Sequence, residues 1–133
     1  MTFIKLFVTA FIIFLAIDFL WLGLIAKNVY SQELGSLMKP EVNFYAAFLF
    51  YAIFIVALTV FVIMPGIEAG SIWKVMLLGA LFGLASYATY DLTNYATLAN
   101  FPLKIVLIDL AWGTFLGTST STLTYIIYQG VLK

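Results

Sequence analysis

The sequence predicts an all-α protein, a bundle of four transmembrane helices with antiparallel neighbours. Two observations carry that reading. Of 133 residues, 65% are hydrophobic and 9% charged, whereas soluble domains carry nearer a quarter. So few charges could not cover a water-facing surface, so lipid must solvate most of the chain. Four apolar runs, about 3–26, 42–64, 72–95 and 102–128, each reach the roughly 20 residues a membrane helix needs. They leave only short connections, as antiparallel neighbours require, and make the chain a single integral membrane domain over 1–133.

The first run follows Lys5, as a signal peptide might, but it is too long for such a segment and contains Asp18; it reads as a retained helix. The loop Lys27 to Glu41 repeats Tyr30, Leu34, Leu37 and Met38 at helical spacing. That spacing predicts either a short interfacial helix between helices 1 and 2 or a continuation of the first helix. Met64-Pro65-Gly66 is expected to end the second run, because proline cannot continue the hydrogen-bond ladder. Pro102 suits the first turn of the fourth, where a missing N–H is no loss. Lys5, Lys74 and Lys133 lie on one side of the bilayer and Lys27, Lys39 and Lys104 on the other. The positive-inside count is therefore a tie, and only the amino terminus tips the reading to cytoplasmic termini.

Composition also excludes chemistry. All six cations are Lys, six acids balance them, and no basic field exists to hold nucleic acid. There is no Cys and no His, which removes thiolate nucleophiles, disulfides, the commonest general base and the commonest transition-metal ligands. No cofactor and no metal are expected. The bilayer is the expected partner, with a homo-oligomer as a further possibility.

The polar residues that remain gather at one depth. Asp18 falls late in the first run, Asp91 late in the third and Asp109 early in the fourth. Because alternate helices run in opposite directions, all three occupy the same half of the membrane, roughly 6 to 12 Å below its surface. An Asp near a helix centre costs about 2.5–3.5 kcal/mol to insert, too much to leave three facing lipid. They are expected to face inward. No Lys lies beside them, since Lys104 is rotated well away from Asp109 on the helix. The cluster is therefore expected to hold a proton on at least one carboxyl, or to bind a cation. Tyr87, Tyr90, Asn94 and Asn43 lie in the same half and complete a candidate polar site. Asp18 with Trp21, and Asp109 with Trp112, share helix faces at a spacing of three. Each indole offers a wall and one N–H donor, although interfacial anchoring is the competing role for Trp21 in particular.

Two GxxxG patterns, Gly79–Gly83 and Gly113–Gly117, predict close packing of the third and fourth helices on each other, or a dimer seam. The hydroxyl run Thr118 to Thr122, with Thr124, reads as side chains bonding back along their own helix. Alternatively, it forms the far end of a polar path through the bundle.

The run Tyr87-Ala-Thr-Tyr90-Asp91-Leu-Thr93-Asn94, followed by Pro102 and Asp109-Leu-Ala-Trp112-Gly113, resembles a family of small bacterial inner-membrane proteins known as a domain of unknown function, family number 2177. Asp18-Phe-Leu-Trp21-Leu-Gly23 and Phe44 to Tyr51 are similar to it too, so the likeness spans nearly the whole chain. Where that family often has Trp before the proline, this chain has Phe101. The resemblance implies a four-helix protein of the bacterial inner membrane and implies no particular activity. The residues themselves favour a protein that binds or moves a proton, a small cation or a cationic small molecule, with aromatic faces available to a cation. A membrane enzyme acting on a lipid or other apolar substrate, using an acid–base pair of carboxyls, is the alternative. An accessory or scaffold subunit with a purely structural polar cluster is the third reading.

Overall fold

The computed structural model describes residues 2–26, 32–33 and 43–133, and no strand occurs among them. Helix α1 covers Thr2–Leu20 and runs on as a wider π-helical turn over Trp21–Ala26. The second rod consists of α2, Phe44–Leu58, a π-helical stretch over Thr59–Ile63, and α3, Met64–Ala69. Helices α4, Ile72–Thr97, and α5, Leu103–Ile127, complete the bundle, and α5 ends in a π-turn over Tyr128–Leu132. The interfacial helix expected within Lys27–Glu41 lies outside the described residues, apart from Gln32 and Glu33.

Thr2–Leu24, Phe44–Ala69 and Ile72–Thr97 are each long and apolar enough to cross a membrane. At 25 residues α5 is also long enough, but its hydroxyl run makes it less apolar. Outward-facing side chains match a hydrocarbon solvent: Ile12, Leu77 and Leu107 are each more than half exposed. The apolar core lies between the rods. Leu6, Ala10 and Phe14 from α1 meet Phe54, Ile55 and Leu58 from α2, Val75 from α4 and Leu116 from α5. The Phe14 ring packs against both Tyr51 and Phe54, with centroids 5.2 and 5.3 Å away. A smaller cluster of Phe101, Ile105 and Val106 lies at the start of α5, so Phe101 serves packing.

Pro65 does not end the second rod, contrary to expectation. The preceding turn is π-wide, with the Met64 N–H bonding to the Thr59 oxygen five residues back. That turn relieves the clash a proline ring makes with the carbonyl four residues earlier, so the chain stays helical through Ala69. The stop is Gly70, which adopts a left-handed φ of 62° that an L side chain resists. The Ser71 N–H then bonds to the Gly66 oxygen at 3.1 Å, as C-terminal capping motifs do. The Ser71 side chain in turn caps α4 by accepting from the Lys74 N–H. At the other membrane face Asn100 takes a left-handed φ of 64°, tolerable for Asn, and Pro102 sits at the N-cap of α5, just before the first turn.

The two GxxxG patterns meet each other. A β-carbon built on Gly79 would lie 2.7 Å from the Gly117 carbonyl oxygen, and one on Gly83 would collide with the Gly113 oxygen. Backbone thus touches backbone along α4 and α5. In this antiparallel register Asp91 on α4 falls opposite Asp109 on α5. Half of the hydroxyl run bonds back along its helix, Thr118 to Thr114, Ser119 to Phe115 and Thr124 to Thr120, at 2.7–2.8 Å; the hydroxyls of Thr120, Ser121 and Thr122 are buried without a partner among the described residues.

Candidate functional site

Asp18 sits near the end of α1 with only 5% of its surface exposed. Its two oxygens are held from two other helices. The Tyr51 hydroxyl of α2 donates to Oδ2 at 2.8 Å, and the Trp112 indole of α5 donates from Nε1 to Oδ1 at a longer 3.4 Å. Trp112 is itself stacked on Trp21, with ring centroids 4.4 Å apart and planes 9° from parallel. The two sequence repeats, Asp18-x-x-Trp21 and Asp109-x-x-Trp112, therefore interlock: one indole serves the other repeat's acid, and the two indoles face each other.

Asp91 is fully buried, and both its carboxyl oxygens lack a hydrogen-bond donor among the described residues. Its carboxyl lies within reach of that of Asp109, which is 8% exposed. Two carboxyls at close range satisfy each other only if a proton or cation lies between them. The backbone contact along the glycine seam sets this pairing, since helices held farther apart would leave room for water or another side chain. No group of three or more acidic side chains among the described residues is arranged to hold a metal ion, so Asp18 stands apart from the Asp91–Asp109 pair in that sense.

Tyr87 lies on α4, packed against α5 at Gly113. It is one turn from Asp91 on the same face of α4, half-buried, and its ring rests where a Gly113 side chain would be. Asn94, one turn beyond Asp91, is half-buried on that face.

Two expected members are elsewhere. Tyr90 is 60% exposed: it precedes Asp91 by one residue, about 100° around the helix, and points away from the bundle. Asn43 is exposed and caps α2, its side-chain oxygen accepting from the Ala46 N–H at 3.1 Å. Lys104 is exposed and lies 3.7 Å from a half-buried Glu33. Tyr51 was missed. The available signal was a phenol inside an otherwise hydrocarbon run, since a buried tyrosine hydroxyl needs a partner.

Outside the acids, a groove of about 340 Å³ opens beside the indole pair, lined by Trp21, Ile108, Ala111, Trp112 and Phe115. A larger one runs along the outward face of the second rod at Ala52, Val56 and Phe61 and is wholly hydrocarbon.

No curated protein and no solved structure matches the chain. A family model does, described as a predicted membrane protein (DUF2177). The match runs over residues 3–126, taking in every acid of the site, and the chain belongs to that family.

Proposed function

We propose that this protein binds and moves a proton across the bacterial inner membrane, with both termini cytoplasmic, and that the Asp91–Asp109 pair carries the proton. One observation supports this above the others: the fully buried Asp91 carboxyl, without a donor, beside a second carboxyl. A charged acid buried in hydrocarbon without a partner is costly, and a proton shared by the pair removes that cost. The tight α4–α5 seam favours a proton over a hydrated cation. The test is proton uptake by proteoliposomes under an imposed gradient, followed with an internal pH dye. Wild-type vesicles should take up protons faster than protein-free vesicles, and Asp91→Asn should return the rate to that background. Equal rates for wild type and Asp91→Asn would refute the proposal.

A second reading has its own support. The groove beside Trp21 and Trp112 faces the lipid, and the Trp112 indole links it to Asp18. This suits an enzyme acting on a membrane lipid. Under that reading, deleting the gene shifts the cell's lipid profile, and wild type but not Asp109→Asn restores it.

A further inference from the structure

The groove of about 340 Å³ beside the indole pair brings the outer surface within one side chain of a buried acid. Trp112 is that side chain. It lines the groove, and its Nε1 donates to Asp18 at 3.4 Å. Trp21 continues the wall, stacked on Trp112 with centroids 4.4 Å apart, and Phe115 adds a third ring 5.5 Å from Trp112. Aromatic rings attract cations through their quadrupoles, and indole does so best. A donor bonded to an acid is further polarised, which leaves the Trp112 ring richer in electrons.

The surroundings select the sign of a ligand's charge. Asp18, Asp91 and Asp109 are buried in this half of the bundle. Among the described residues, the lysine nearest to them in sequence, Lys104, is exposed and lies against Glu33. Lys5 and Lys74 belong to the opposite end, where Lys5 donates to the Leu132 carbonyl oxygen. A molecule in the groove meets rings and an acid, which favours positive charge over negative. The lining also selects the form of that charge. The side chains of Ile108, Ala111 and Phe115 and the two indoles offer no oxygen to accept from an N–H. A primary ammonium would be left with unsatisfied donors, whereas an onium ion, its charge wrapped in carbon, needs no acceptor. We infer that the groove of Trp21, Trp112 and Phe115 binds a hydrophobic onium cation that enters sideways from the lipid, with Asp18 behind the indole as its counter-charge. This site is separate from the Asp91–Asp109 pair and does not depend on the proton reading. A neutral or anionic lipid is the competing occupant.

Two ions of matched size and opposite charge test this on the full chain in non-ionic detergent. Tetraphenylphosphonium is the cation and tetraphenylborate the anion. On a Trp73→Phe background the groove holds both remaining indoles, so their fluorescence reports occupancy. Tetraphenylphosphonium should quench it saturably, and tetraphenylborate should bind at least about tenfold more weakly. Trp21→Leu, which removes one indole and leaves both hydrogen bonds to Asp18 intact, should weaken cation binding by about tenfold, the scale of one cation–π contact. Radiolabelled tetraphenylphosphonium reads that variant, and Trp21→Phe should recover part of the loss. Asp18→Asn should weaken the cation and not the anion; if that variant does not fold, the two ions on the wild-type chain still decide the sign of charge. Equal binding of both ions would mean a cleft for any apolar molecule and would overturn the inference. So would no saturable binding of the cation, or full binding by Trp21→Leu. No proton gradient enters these measurements, so their failure and a failure of Asp91-dependent proton uptake are distinguishable.

Discussion

Tyr51→Phe would keep the ring against Phe14 and remove only the hydroxyl that donates to Asp18. The buried carboxyl would then depend on Trp112 alone, at a longer distance. We expect a loss of about 1–3 kcal/mol in stability, read as earlier unfolding of the purified protein in detergent. Tyr90→Phe should change neither stability nor uptake measurably, because that side chain lies outside the site. The contrast shows what was legible at this scale. The depth of each acid followed from its position along a run, and the cost of a carboxyl in hydrocarbon forced all three inward. Direction around the helix was harder to read for residues lipid can tolerate. A tyrosine or asparagine near the headgroups is stable facing either way, so Tyr90 and Asn43 were placed in the site by depth alone. Tyr51 was overlooked because a long run of aromatic and aliphatic residues hides a single hydroxyl.

At the scale of helices, the glycine seam is the feature the sequence displayed most clearly. Small residues at a spacing of four on two adjacent antiparallel helices have few other ways to pack. Gly83→Ala would drive a methyl group into the Gly113 carbonyl. Forcing extra volume into such a contact costs about 1–3 kcal/mol. It should also part Asp91 from Asp109, so both the denaturation midpoint and proton uptake should fall together. The end of the second rod was misjudged for a local reason. Proline normally marks a helix end through its missing N–H and its ring, but the π-wide turn before Pro65 accommodates both. Gly70 carries the stop instead. Gly70→Ala should therefore cost about 1 kcal/mol, although a side chain there would meet only open space. Measuring its unfolding beside that of Pro65→Ala would show which residue the end depends on.

Over the whole molecule, two kinds of boundary coexist. Among the described residues, hydrocarbon side chains face outward over most of the length, while Asp18, Asp91 and Asp109 are buried inside. Because the chain contains no cysteine, single cysteines can report its topology without background. Ser71→Cys and Asn100→Cys lie in the connections at opposite ends of α4. In oriented membranes a charged thiol reagent should label the two from opposite sides, and labelling of both from one side would exclude the four-span arrangement. The wide turn at Thr59–Ile63 matters at this scale too. It works as a phase adjuster: one surplus residue sets the rotational offset between the upper and lower halves of a single rod. Above it, Tyr51 must aim at Asp18. Below it, Gly66 must lie flat against Val75. Deleting one residue from the turn would swing one half by about 100° relative to the other, so the molecule could keep its grip on the acid or its fit at the far rim, but not both.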